Sequence, residues 1–276
     1  MLQKNTRALN HHLLATNSAI EFVAFSSVNN AKLHTSRINE NVVAIQTTRI
    51  CPFNNNVATN SPYQGFNLGF HVGDLAKQVE NNRQLLLKLL PDNAKIQWLE
   101  QVHGNQVAKI TAVSSQPVRA DASFTKEKNT CLAIMTADCL PILLTSKAGN
   151  EIAAIHGGWR SLAANIITNT INKMDSDASE LLAWLGPCIG KTAFEVGTEV
   201  RDTFVNQYQR FTLAFTKHTA DKYYADLQQI AQIQLSQLGV ESINSLPECT
   251  FSNTDRYYSY RKNATTGRMA SLIYLR

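Results

Sequence analysis

The sequence predicts a mixed α/β (α+β) fold: a single domain of mixed β-sheets flanked by helices. Short apolar runs of strand length recur along the chain, and stretches of helical spacing fall between them rather than after them. No linker-like low-complexity segment follows residue 65. With 276 residues, 44% of them apolar and 17% charged, the chain can bury one large core or two small ones. The unsegregated order of its elements favours one.

The first forty residues set Lys4, Arg7, Lys32 and Arg37 against Glu21 and Glu40 among many Ser, Thr and Asn. They lack the long apolar core and cleavage pattern of a targeting signal, so they read as a poorly ordered N-terminal extension (1–40) to a domain spanning 41–276. A strand is expected over 41–50 (VVAIQTTRI) and a loop over the Asn- and Pro-rich CPFNNNVATNSPYQG. A helix is expected from about Leu75 to Leu90, capped by Asp74, stopped by Pro91, with Arg83 off its apolar stripe. IQWLEQVHGNQVAKI reads as one strand that breaks near His103-Gly104 and resumes. CLAIMTA and PILLT read as two buried strands split by Asp138-Cys139, and EIAAI as a strand ending at His156-Gly157-Gly158. WRSLAANIITNTINKM has helical periodicity, with Leu162, Ile166, Ile167 and Ile171 on one side. LLAWLGPCIG is a strand running into a turn. A late helix is expected from Tyr223 to Leu238, ended by Gly239, and SLIYL is a closing strand.

Charge and cysteine usage narrow the function. A formal charge of +5 without a run of five like charges suits anionic small molecules and lacks the basic stripe of a nucleic-acid binder. The five cysteines are odd in number and form no CxxC pair. That argues against a disulfide framework or zinc finger and points to a reducing, cytoplasmic compartment. No apolar run approaches the roughly 18 residues of a membrane helix. The best, Cys131 to Leu144, is interrupted by Asp138 and Pro141.

Three residues share one design. His103, Cys139 and His156 each lie just past an apolar strand beside a Gly or Asp break, where a side chain can project into a cleft. Two imidazoles and one thiolate suit Zn²⁺, and three protein ligands leave a fourth tetrahedral position for water. They are 36 and 17 residues apart along the chain, so only the fold can unite them; ordinary strand-end histidines and a small buried cysteine are the alternative reading. His156-Gly-Gly-Trp-Arg leads from strand into helix, where backbone N–H groups and Arg160 could receive an anion, or simply make a tight turn. FNLGFHVGD places Asn67 and His71 in a glycine-punctuated turn, either a substrate loop or a capped turn. Arg261 and Arg268 in the aromatic, basic YYSYRKNATTGRMAS could line a cleft.

Taken together, FNLGFHVGD, NNRQLL, WLEQVHGNQV, ADASFT, MTADCLPILL, AAIHGGWRSLAANII, AWLGPCIGKTAFEVG, DKYYADL and YYSYRKNATTGRMASLI resemble one family, in order, from about Val42 to the C-terminus. It is that of the laccase-domain proteins, also called multicopper polyphenol oxidase or purine nucleoside phosphorylase family proteins and linked in bacteria to peptidoglycan editing. The resemblance implies that His103, Cys139 and His156 are zinc ligands and catalytic residues. It also implies phosphorolysis of adenosine, inosine, guanosine and S-methyl-5′-thioadenosine, and deamination of adenosine. The implied fold is similar to the Cys-His hydrolase fold of a bacterial toxin. Gly157 stands where Ala is expected, and Val72 where some relatives carry Cys.

For phosphorolysis, Asn67, Arg83 and Arg160 are the expected substrate-binding residues, forming a cationic, amide-rich phosphate pocket. For deamination the HxE…PCxxC signature of other zinc deaminases is absent, which leaves Asp138 and Glu100 as candidate proton carriers. A second class of function makes Cys139 a nucleophile activated by His103 or His156, in an amidase or hydrolase editing peptidoglycan precursors. A third is the copper-dependent polyphenol oxidase of the family name. With seven histidines, three of them (His11, His12, His34) in the extension, the chain is poor in copper ligands, although Cu²⁺ has the intrinsic affinity to occupy a His-Cys-His site.

Overall fold

The computed structural model describes residues 20–22, 41–53 and 61–276. The central strands of its two main sheets, Thr130–Thr136, Leu140–Ser146, Ile152–Gly157, Leu181–Leu185 and Met269–Leu275, are buried on both faces, so their sequence runs are almost continuously apolar. In the first sheet the order is β1 (Ile20–Phe22), β2 (Val42–Thr47), β16 (Met269–Leu275), β8 (Thr130–Thr136) and β3 (Lys95–Gln97). All neighbours are antiparallel except β3 and β8. In the second the order is β15 (Ser242–Ser245), β11 (Leu181–Leu185), β9 (Leu140–Ser146), β10 (Ile152–Gly157), β7 (Ala122–Thr125) and β5 (Val107–Lys109), with parallel pairs at both edges. Two small sheets complete the fold: β12 (Glu195–Gly197), β14 (Lys222–Ala225) and β13 (Phe215–Lys217) in one, β4 (Leu99–Glu100) and β6 (Val118–Arg119) in the other.

Period-two alternation separates the layers. Leu132 and Ile134 of β8, Ile273 and Leu275 of β16, Leu143 of β9 and Ile152 and Ala154 of β10 form one buried cluster between the two main sheets. The opposite face of the first sheet, with Cys131, Ala133, Ala270 and Leu272, packs on Leu86 of helix α1 (Ala76–Leu87). The opposite face of the second, with Ile142, Leu144, Ala153 and Ile155, packs on α2 (Trp159–Ala163), α3 (Ile166–Ile171), α4 (Thr198–Val205) and α5 (Leu227–Gln237). The result is a helix–sheet–sheet–helix sandwich, the mixed α/β single domain expected. Each fully buried Leu or Ile contributes on the order of 2 kcal/mol to it.

Several expected elements are redrawn. The run 95–109 is not one broken strand but β3, β4 and β5, each in a different sheet, because the chain crosses between layers. α1 is capped at Leu75, not Asp74. The Asp74 carboxylate accepts instead from Asn67 Nδ2 (2.9 Å) and from the adjacent Leu75 N–H. Before Pro91, residues 88–90 continue as tighter i→i+3 turns. The helix expected over 159–174 breaks at Asn165, which sits at φ 61°, a conformation Asn tolerates. Side-chain amides reach the carbonyls there: Ala163 O accepts from Gln207 and Ala164 O from Asn105, while Leu162 O accepts from Gln234 as well as from Asn165 N–H. Tyr223 and Tyr224 are strand residues pairing with Val196 and Glu195, and the late helix starts only after Asp226, whose carboxylate caps Gln229 N–H at 3.0 Å. Gly239 follows it at φ 93°, as the sequence suggested. Of the expected extension the structure describes residues 20–22, which pair with β2; the rest of 1–40 lies outside the described residues. Among the described residues no helix is long and apolar enough to cross a membrane.

Candidate metal centre

His103, Cys139 and His156 meet at the edge of the sandwich where the chain passes from one sheet to the other. Cys139 lies on the link from β8 to β9, His156 near the end of β10 opposite Pro141, and His103 on the link from β4 to β5. Their ligand atoms lie within 4.8 Å of one another, with Cys139 Sγ 3.8 Å from His103 Nε2 and the two imidazole centroids 4.7 Å apart. A tetrahedral Zn²⁺ with bonds of about 2.0–2.3 Å needs ligand–ligand edges of about 3.3–3.8 Å, so the donor set fits after a contraction of about 1 Å in its widest pair. His156 is buried, Cys139 half-buried and His103 exposed, which leaves one side of the cluster open.

Asp121, absent from the sequence-based candidates, organises this centre. The buried carboxylate accepts from His156 Nδ1 at 2.9 Å, and from the N–H groups of His103 (2.8 Å), Gly104 (2.7 Å) and Val102 (3.2 Å). With Nδ1 occupied, His156 turns Nε2 toward Cys139. These bonds also hold His103 at φ 59°, a conformation that costs about 1–3 kcal/mol outside glycine. The one signal in the sequence was an acidic residue inside the small, apolar ADASFT run. A second clamp is Gln101, whose amide both donates to Met135 O and accepts from Met135 N–H at 2.8 Å, tying the His103 loop to the strand that delivers Cys139.

The electrostatics follow from this packing. Burial pushes the Cys139 thiol up, but the His156 charge and the hydrogen bonds of His103 and His156 outweigh it and hold the thiol down at about 6. Burial pushes His156 down, but the Cys139 thiolate and Asp121 raise it to about 9. Burial acts to raise Asp121, yet its bonds to His156 and to the backbone keep it below the usual carboxylate range. A Cβ on Gly158 would lie 3.2 Å from His103 Cδ2 and 3.3 Å from Cys139 Sγ, so glycine leaves the centre clear. A Cβ on Gly157 would meet Leu140 O at 2.8 Å, so the glycine that replaces the expected Ala suits this backbone.

The other expected site residues divide. Arg83 is half-buried, its guanidinium 3.7 Å from the Trp98 ring and 4.4 Å from Phe70, with Nε donating to Leu68 O. Asn67 is fully buried: Oδ1 accepts from Gly69 and Arg268 N–H, and Nδ2 reaches Asp74. Its side-chain atoms thus bind within the protein. Arg160 is exposed on the short α2 and lies over its neighbour Trp159. Asp138 is buried and engaged. Its carboxylate accepts from Thr250 Oγ1, Ser259 Oγ and Arg261 N–H, binding the C-terminal segment beneath Cys139. Glu100 is exposed on β4.

Residues 44–276 match the family described as multi-copper polyphenol oxidoreductase laccase. The chain belongs to the laccase-domain family. Among its members, proteins called purine nucleoside phosphorylase YfiH in Escherichia coli (strain K12) and Shigella flexneri are each 45% identical over 214 residues, covering 78% of this chain and 88% of theirs. A solved structure, that of Neisseria meningitidis protein NMB0706, superposes with a TM-score of 0.80 at 38% identity, covering 86% of this chain and 95% of that one. The triad of this laccase-domain chain is therefore a cluster able to hold a metal in a family whose name implies one.

Proposed function

We propose that the protein is a zinc-dependent purine nucleoside phosphorylase of the cytoplasm, acting on adenosine, inosine, guanosine and S-methyl-5′-thioadenosine and also deaminating adenosine. The observation that carries this reading is the three-ligand centre that is preorganised by Asp121 and open on the His103 side. The names of the relatives supply the substrate class. Zinc, held by His103, Cys139 and His156, would supply Lewis acidity at that open side.

In phosphorolysis an oxygen of HPO₄²⁻ bonds to C1′ as the C1′–N9 bond breaks, and the purine leaves in its N–H form with the proton that the phosphate gives up. The protein's task is to hold a neutral nucleoside and a phosphate dianion in line. Arg83, lowered by burial only to about 10, stays cationic at neutral pH and can hold the anion. The exposed Phe70 and Tyr260 offer apolar faces for a base.

One observation favours a second reading: a thiol held at about 6 beside an imidazole is also a competent nucleophile for an amidase. Metal content separates the two. Metal-quantified protein would be incubated with adenosine, with and without phosphate, beside a Cys139→Ala control. Adenine formed only with phosphate, near-stoichiometric zinc, and loss of both in the variant support phosphorolysis; inosine marks deamination. Zinc-loaded protein that forms neither product defeats the reading.

A further inference from the structure

Arg268 and Arg83 are held on the two sides of one dipeptide. Leu68 O accepts from Arg83 Nε at 3.0 Å, and Leu68 N–H donates to Arg268 O at 3.1 Å. The stem of Arg268 and the ring of His71 both pack against Gly69: a Cβ there would lie 3.0 Å from Arg268 Cγ and 3.4 Å from His71 Cε1. Asn67 fixes this arrangement by accepting from both Gly69 and Arg268 N–H.

Neither guanidinium has a carboxylate partner among the described residues. Arg268 spends Nη1 on the carbonyls of Thr266 and Gly267, and Arg83 spends Nε on Leu68 O and directs Nη2 toward Met135 Sδ. Each fork keeps donors uncommitted. The nearest acidic charges are otherwise engaged: Asp138 accepts three bonds from the C-terminal segment, and Glu80 lies exposed with Gln84. Both arginines are lowered by burial. Met269 pairs with Thr136, so Arg268 adjoins the end of β8 that leads to Cys139, and Arg83 Nη2 lies 3.7 Å from Met135 Sδ on the same strand. His71 is likewise lowered, by burial and then by Arg268, Arg83 and His103.

We propose that Arg268 and His71 join Arg83 in a built oxyanion subsite at the mouth of the metal centre, and that its ligand is free inorganic phosphate. Two partly desolvated cations with no carboxylate in contact favour an anion that completes them. A nucleoside is neutral and cannot do so. Two guanidinium forks and an imidazole gathered on the Leu68–His71 turn offer several donors to a tetrahedral dianion. This assignment rests on the phosphorylase reading for its role in turnover, but not for the binding itself.

The test is therefore in two parts, on full-length zinc-loaded protein. Phosphate binding without nucleoside is measured by calorimetry for wild type, Arg268→Gln, Arg268→Lys and His71→Asn, with adenosine 5′-monophosphate as the phosphomonoester arm. The phosphate KM in adenosine phosphorolysis is then measured for the same set, zinc content and circular dichroism serving as the folding control. Loss of one charge-assisted contact predicts phosphate affinity weaker by about tenfold to a hundredfold in Arg268→Gln, with a parallel rise in phosphate KM. Arg268→Lys falls between, because it keeps the charge and loses the fork. His71 is exposed, so His71→Asn carries the test if Arg268→Gln does not fold. If wild type binds phosphate and Arg268→Gln does not, yet no turnover occurs, the subsite stands and the phosphorylase reading falls. Turnover with phosphate affinity and KM unchanged in the variants overturns the subsite, as does a wild type that binds only the monophosphate or neither anion.

Discussion

The carboxylate of Asp121 bonds His156 Nδ1 at 2.9 Å while also receiving three successive backbone N–H groups around His103. A single buried side chain thereby sets the ring orientation of one ligand and the backbone of another, although 18 residues separate it from His103 and 35 from His156.

Asp121→Asn turns an acceptor into a partial donor facing four N–H groups. Zinc affinity is expected to fall by about tenfold to a hundredfold, the usual consequence of losing such a partner. Stability is expected to fall by about 1–3 kcal/mol for a buried donor left unmatched. Chelator competition and thermal melts measure the two; unchanged zinc affinity would show that the ligands are held by other means.

In metal-free protein, Cys139 should be the alkylation site with the lowest midpoint. Its thiol is held at about 6, so the thiolate dominates above that pH and the iodoacetamide rate falls as pH drops through it. Cys131 is pushed well up by burial and should not react in the folded state. Peptide mapping across pH 5–9 reads this directly. Stoichiometric zinc should slow Cys139 modification sharply; an equal rate with zinc would remove Cys139 from the ligand set.

Gly158→Ala probes the space at the centre. Gly158 has φ −64° and ψ 153°, which alanine adopts freely, so the backbone gives no reason for unfolding. The added methyl instead presses on His103 and Cys139 at 3.2–3.3 Å. The expected outcome is a melting temperature close to wild type with reduced zinc occupancy, measured by metal analysis after dialysis.

Asp138→Ala should behave as a structural lesion. It strands the hydroxyls of Thr250 and Ser259 and the Arg261 N–H, and places alanine at φ 88°. A loss of about 3 kcal/mol or more is expected in denaturant unfolding. Asp138→Gly, which relieves the backbone, should recover part of it. A stable, inactive Asp138→Ala protein would instead return Asp138 to a chemical role.

How much was legible in the sequence differs from element to element. Strands β2, β8, β9, β10, β11 and β16 were readable as apolar runs, and Gly239 as the αL stop, because each depends on local composition or a single φ, whereas the small-residue strand β7 was not. The break at Asn165 was not, since the side-chain amides that reach the carbonyls there come from Asn105, Gln207 and Gln234. Nor was the strand at Tyr223-Tyr224, which exists because β12 and β13 lie on either side of it.

The sequence by itself determined which segments are buried strands, the His, Cys and His at their ends and the glycines beside them, since residue chemistry and apolar composition are properties of short segments. Only the tertiary structure decided what surrounds those donors. It gathered His103, Cys139 and His156 at a crossover between sheets and placed Asp121 behind two of them. It buried Asn67 and Asp138 as clamps and left Arg83, Arg268 and His71 at the mouth. Hydrogen bonds and charges act over a few ångströms of space, and chain separations of tens to hundreds of residues carry no information about that distance until the sheets close.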